Sequence, residues 1–185
     1  DIPHSLPTKQ GLARIVTVTN QKGGVGKTTS VINIATHLAM RGARVLVVDC
    51  DAQGNCASGL GIDKSKTKIT TKDVILTPSI SIQARHATAV EGLHLIVGDH
   101  NLVGVEELLS AQLGRERRLV EALATLRPHY DLILIDTAPS MSIVSVNALT
   151  ASDGVLIPVQ TEYLALEGVA LLMGTIQEVR RILNH

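Results

Sequence analysis

Tryptophan and phenylalanine are absent from this 185-residue sequence, and Tyr130 and Tyr163 are its only aromatic residues apart from histidine. A core without large rings has to be assembled from Leu, Ile, Val and Ala, which favours helices packed closely on a buried sheet. Cysteine is nearly absent. Cys50 and Cys56 fit neither a disulfide framework nor a four-ligand zinc site, and they predict a reducing, cytoplasmic setting. An excess of either charge is missing too: 17 basic residues balance 17 acidic ones, so no bulk field announces a nucleic-acid or anionic-membrane surface. No apolar run approaches the roughly 20 residues that a membrane-spanning helix needs. The opening DIPHSLPTKQG has no signal-peptide hydrophobic region, so a soluble protein is expected. Its first residue is Asp rather than Met, which predicts a processed or excerpted chain. The length fits a single domain, with residues 1–14 as a flexible N-terminal tail and 15–185 as the folded unit.

Apolar periodicity supplies the elements. Ile15 to Thr19 reads as a short strand feeding a glycine-rich loop, and Val31, Ile34, Ala35, Leu38 and Ala39 recur at helical spacing from Thr28 to Arg41. Gly42 stops that helix. Two continuous apolar runs, RVLVVD from Arg44 and DLILID from Asp131, read as strands covered on both faces, and GVLIPV from Gly154 to Val159 reads as a further strand. Leu93 to Val97 adds a strand. Helices are expected at Thr71–Leu76, Arg115–Arg127, Ser142–Thr150 and Leu164–Leu183, the last with Arg180 and Arg181 at its C-terminal end. Strands alternating with helices predict an α/β fold: a doubly wound, mostly parallel sheet with helices on both faces.

The stretch NQKGGVGKTT, residues 20–29, carries the clearest chemistry. A glycine loop between a strand and a helix aims its backbone N–H groups at one point beside the positive end of the helix dipole, where an anion binds. The common pattern G-x-x-x-x-G-K-[ST] would place a glycine at position 21, which is Gln21 here. Gly26-Lys27-Thr28 remains, with Lys27 able to reach the β- and γ-phosphates and the Thr28 hydroxyl able to ligate magnesium. A glycine turn with incidental lysines is the bland alternative, and the flanking strand and helix argue against it. Asp49, Asp51 and Asp136 stand at or just beyond the C-terminal ends of apolar strands, where ligands bind in such sheets. A strand-end Asp is often only a cap or turn residue; two such strands beside a phosphate loop favour magnesium chemistry.

KGGVGKTT resembles the deviant Walker A loop of the ParA/MinD family of ATPases. DCDAQGN is similar to the D-x-D-P-Q-G-N segment of ParA and Soj, DTAPS to their Walker B stretch, and NALTASDGVLIPVQTEYLALEGV to the family nearly throughout. The resemblance runs from about Ile15 to Leu183 and implies a P-loop NTPase fold of the deviant Walker A type. It implies that Gly23, Gly24, Val25, Gly26, Lys27, Thr28 and Thr29 hold the phosphates of ATP, and that Thr28 and Asp136 serve Mg2+. Lys27 and Asp51 are then catalytic, Asp51 by orienting the attacking water. Lys22 is the signature lysine, reaching across an ATP-dependent homodimer to stabilise charge in phosphoryl transfer. The family further implies partition of chromosomes or plasmids, or cargo positioning, from the cytoplasm and over the nucleoid. A ParB-like activator and nonspecific DNA are its implied partners, with no membrane.

Ala52 and Ala138 occupy positions where that family usually has proline, which removes stiffness but no chemical group. Family members also extend beyond the last residue here, so the chain reads as C-terminally truncated. The absent part holds DNA-binding arginines and some of the adenine pocket. Three rivals stay open. A MinD-like membrane cycler would need a basic amphipathic C-terminal helix. A truncated, non-catalytic regulatory module would bind ATP without turning it over, and an amide-forming enzyme would need a carboxylate pocket. Cys50 and Cys56 are expected as small buried hydrophobes rather than cluster ligands, while Arg115, Arg117, Arg118, Arg180 and Arg181 are expected on solvated helix faces, with DNA-phosphate contact as the alternative.

Overall fold

The computed structural model describes residues 11–161 and 165–184. Residues 1–10 of the expected tail, Tyr163 and the expected helix start at Leu164 lie outside them. In chain order the elements are β1 (Arg14–Val18), α1 (Lys27–Met40), β2 (Val45–Cys50), α2 (Asn55–Gly59), α3 (Thr71–Leu76), β3 (Arg85–Ala87) and β4 (Leu93–Ile96). They continue with α4 (Val105–Leu109), α5 (Arg118–Ala124), β5 (Leu132–Thr137), α6 (Ile143–Ala151), β6 (Gly154–Leu156) and α7 (Ala165–Ile182). The strands form one sheet in the order β3-β4-β2-β5-β1-β6, and every pairing is parallel except β3 with β4. Among the described residues no helix is long and apolar enough to cross a membrane.

The central strands explain the order. All six residues of β2 and of β5 are buried, so neither strand can sit at an edge. Side chains alternate between two apolar layers, as the strand period demands. Leu46, Val48, Ile133 and Ile135 face the layer built with α3, α4, α5 and α6, which also contains Val74, Leu109, Leu123 and Ala148. Val45, Val47, Leu132 and Leu134 face the layer built with α1 and α2, where Val31, Ala35, Ala39 and Cys56 pack. The every-fourth-residue spacing of Val31, Ala35 and Ala39 is the α1 stripe expected from the sequence, and the small side chains let the helix lie close to the sheet.

Several expectations need revision. The helix expected over Arg115–Arg127 is a 3₁₀ turn at Arg115–Arg117, then α5, then a second 3₁₀ turn at Arg127–His129 around Pro128. Asn147 of α6 accounts for the late start. Its Oδ1 accepts the Leu119 N–H (3.0 Å), one of the groups that a helix start leaves unpaired, and its Nδ2 donates to the carbonyls of Arg115 (2.8 Å) and Ile143 (2.9 Å). β6 stops at Leu156, three residues before the expected Val159. Sequence patterning does not reveal α2, α4 or β3, which are too short for a period to register. The chain also enters the fold before Ile15: Ala13 is fully buried, and its N–H donates to the Arg127 carbonyl (2.9 Å). Asp153 ties this corner together, accepting from the Ile15 N–H (2.7 Å) and Arg127 Nη2 (2.6 Å).

Asn147 is fully buried with three hydrogen bonds. Asn147→Ala removes the partner of the Leu119 N–H and of the Arg115 carbonyl, and is expected to lower stability by about 2–4 kcal/mol in urea unfolding.

Candidate functional site

β1 ends at Val18, and the chain turns through residues 19–26 before α1 begins. Gly24 (φ 74°) and Gly26 (φ 90°) take the left-handed backbone that residues with a Cβ rarely adopt, so these two glycines shape the loop. Gly26 is the N-cap of the 14-residue α1 and offers no side-chain cap. The first N–H groups of the helix therefore point out of its end without intrahelical acceptors, the arrangement that receives an anion.

Side chains within and beyond the loop brace it. Asn20 accepts the Lys22 N–H through Oδ1 (3.0 Å) and donates through Nδ2 to the Pro158 carbonyl (2.8 Å), fastening the loop to the segment after β6. Gln160 donates to the Gly24 carbonyl (3.3 Å). Lys27 is buried, and its ammonium donates to the Lys22 carbonyl (3.1 Å), so it lies curled beneath the loop. Burial pushes the Lys27 pKa down, and the nearby Asp136 and Asp51 carboxylates oppose that shift. Lys22, Gly23, Gly24 and Thr29 are exposed, and Val25 is buried. Lys22 thus stands on the open rim, apart from the buried Lys27.

Strand register assembles the acids. In the parallel ladder Asp49 of β2 is level with Asp136 of β5, and Asp136 is level with Val18, the last residue of β1 before the loop. Asp136 is fully buried. Its Oδ2 accepts from Thr28 Oγ1 (2.6 Å) and Cys56 Sγ (3.4 Å), while Oδ1 has no hydrogen-bond partner among the described residues. Burial raises the Asp136 pKa, and the hydrogen bonds from Thr28 and Cys56 pull against that. An unsatisfied buried acceptor beside a threonine hydroxyl at a helix N-terminus suits a hydrated divalent cation, so the residues present fit magnesium.

Asp49 acts as a brace one strand away. Its Oδ1 accepts the Asp51 N–H (3.0 Å) and its Oδ2 accepts the Cys56 N–H (3.1 Å), bending the chain after β2 into the turn that presents Asp51. Asp51 is itself buried and accepts the Gln53 N–H (2.9 Å). The structure therefore gathers Lys27, Thr28, Asp51 and Asp136 at the C-terminal ends of β1, β2 and β5. Sequence reading missed the bracing roles of Asn20, Asp49, Gln160 and Cys56. Asn20 and Asp49 had a legible signal, since Asn and Asp commonly bond the backbone two residues on; the Gln160 bond to Gly24 and the Cys56 thiol bond to Asp136 depend on contacts across the fold.

Gly98, just after β4, permits the close approach that holds the acid-bearing turn. A Cβ at Gly98 would lie 2.5 Å from the Asp49 carbonyl oxygen and 2.8 Å from that of Asp51. Gly98→Ala is expected to displace the Asp51 turn and cost about 1–3 kcal/mol, read by chemical denaturation. A pH effect follows from Asp49, whose pKa burial pushes up from 3.8 to about 7. The native state holds this proton more tightly than the unfolded chain, so the Asp49 contribution is full below pH 3.8 and is lost as pH rises through about 7. Stability should fall across that window by up to about 1.4 kcal/mol per pH unit, and Asp49→Asn should flatten the profile in denaturant titrations.

A family model described as an AAA domain matches residues 13–185. The sporulation initiation inhibitor protein Soj of Bacillus subtilis (strain 168) is 46% identical over 173 residues, covering 94% of this chain and 68% of Soj. The chromosome partitioning protein ParA of Caulobacter vibrioides is 45% identical over 173 residues, covering 92% of this chain and 65% of ParA. Among solved structures, cobyrinic acid a,c-diamide synthase from Mycobacterium smegmatis, with bound ATP analog and magnesium, matches with a TM-score of 0.88 and 39% identity. That match covers 94% of this chain and 70% of the synthase. The chain thus spans about two thirds of the length of the curated relatives it matches. By that family match and those identities, the chain belongs to the ParA/Soj family of partition ATPases.

Proposed function

We propose that this chain is the nucleotide-binding part of an ATPase that dimerises around ATP and hydrolyses it when a partner engages. The observation that carries the reading is the Thr28–Asp136 hydrogen bond of 2.6 Å beside the buried Lys27, because it joins the helix N-terminus to the strand-end acid. The loop N–H groups of residues 23–29 receive the phosphates, and Lys27 exchanges its bond to the Lys22 carbonyl for phosphate oxygens. Thr28 and Asp136 hold Mg2+, which supplies charge neutralisation at the phosphates. Asp51 orients the attacking water. The exposed Lys22 of one copy reaches the phosphates held by the other, so hydrolysis waits for dimerisation.

The task of the whole protein follows the family: partition of a chromosome or plasmid, or positioning of another cargo. It acts in the cytoplasm and over the nucleoid through nonspecific, salt-sensitive DNA contact and a ParB-like activator. A second reading, an ATP-consuming amide-forming enzyme, is favoured by the 39% identity to the cobyrinic acid a,c-diamide synthase. The higher identities to Soj and ParA weigh toward partition.

Light scattering with and without Mg-ATP tests the proposal on this chain and on Lys22→Ala and Asp51→Ala. The expected result is a dimer with ATP that Asp51→Ala traps and Lys22→Ala abolishes, with hydrolysis in both variants reduced at least tenfold. A monomer at saturating, measured ATP binding would overturn the sandwich. Phosphate release stimulated by a carboxylate substrate and an amide donor, and not by DNA with a ParB-like protein, would select the second reading.

A further inference from the structure

Cys56 is expected from the sequence to be an inert, buried small residue, yet its thiol sits between two carboxylates. The residue is fully buried on the first turn of α2, and Sγ lies 3.4 Å from Asp136 Oδ2. Asp49 also bears on the thiol, and burial together with both acids drives its pKa upward. One ligand atom from each of Asp49, Cys56 and Asp136 falls within 4.8 Å of the others, and all three residues are buried. A second observation points to a ligand: Asp136 is fully buried with Oδ1 unpartnered among the described residues.

We propose that Asp49, Cys56 and Asp136 form a binding site for a thiophilic divalent cation of the zinc and cadmium class, distinct in ligand chemistry from the oxygen-only setting of Thr28 and Asp136. Tetrahedral zinc with a sulfur at ~2.3 Å and an oxygen at ~2.0–2.2 Å places those ligand atoms about 3.5 Å apart. The 3.4 Å separation of Cys56 Sγ and Asp136 Oδ2 matches that edge. One thiolate with two carboxylates is a mixed set that selects zinc or cadmium over magnesium and calcium, which prefer oxygen alone. Binding is a substitution at the thiol: Cys56 S–H releases its proton to solvent and an S–metal bond replaces the hydrogen bond. The cation also neutralises two carboxylates that burial holds in a medium hostile to charge. One consequence rests on the proposed ATPase activity: a cation on this side of Asp136 competes with Thr28 for the carboxylate, so zinc slows hydrolysis at fixed Mg-ATP.

The test titrates the nucleotide-free chain with Cd2+ and follows the ultraviolet thiolate-to-cadmium charge-transfer absorption, then repeats with Zn2+ against a chromophoric chelator. The expected result is one cation per chain, an absorption retained in Cys50→Ser and lost in Cys56→Ser, and zinc affinity at least tenfold weaker in Cys56→Ser. X-ray absorption on the zinc-loaded wild-type chain gives a readout independent of any variant's folding, with one sulfur in the metal's first shell. An absorption that follows Cys50, no absorption in the folded wild type, or a zinc shell without sulfur overturns the site. Because no nucleotide is present, these outcomes stand whether or not the chain hydrolyses ATP.

Discussion

The parallel pairing of β2 with β5 is the constraint on which the rest of the site depends. It sets Asp49 level with Asp136, while the pairing of β5 with β1 sets Asp136 level with the residue that opens the phosphate loop. Side chains at matched positions on neighbouring parallel strands project to the same side of the sheet, so one register decision places both acids together. A slip of a single residue would turn Asp136 toward the opposite apolar layer. The all-buried faces of β2 and β5 prevent that slip, because Leu46, Val48, Ile133 and Ile135 would exchange layers with Val45, Val47, Leu132 and Leu134.

Around those acids the molecule concentrates unfavourable electrostatics and then offsets part of it. Burial raises the pKa of Asp49 and Asp136 and lowers that of Lys27, so each group is least comfortable when charged. Backbone N–H groups of Asp51 and Cys56 partly solvate Asp49, and Thr28 and Cys56 partly solvate Asp136. The remaining imbalance has a physical use. A site whose charges are poorly solvated gains more from a cation and a polyphosphate than one already satisfied, because low-dielectric surroundings strengthen each new contact. Positive-φ glycines in the loop and the close approach at Gly98 hold this arrangement in the backbone, where side-chain motion cannot relax it.

Much of this was legible in the residues, and unevenly. The glycine loop and α1 were readable because loop chemistry and a fourteen-residue helix both leave strong local signals. Lys27, Thr28 and Asp136 were legible as a set because each belongs to a compact motif, and the structure brings them into contact. The helix over Arg115–Arg127 misled at both ends: Asn147 captures the start of α5 at Leu119, and the apolar stripe continues to Leu126, past the end of α5 at Ala124. That capture is invisible locally: Asn147 lies 28 residues from Leu119 in sequence.

The sequence by itself determined the architecture and the glycine loop between β1 and α1, because alternation, apolar runs and glycine spacing are local properties of the chain. Only the tertiary structure decided which groups meet. It joined Thr28 to Asp136, set the Cys56 thiol between two carboxylates, and fastened the glycine loop to the segment after β6 through Asn20 and Gln160. Those outcomes follow from strand register and from loops converging at one end of a sheet, and separations along the chain of 80 to 138 residues carry no local trace of them.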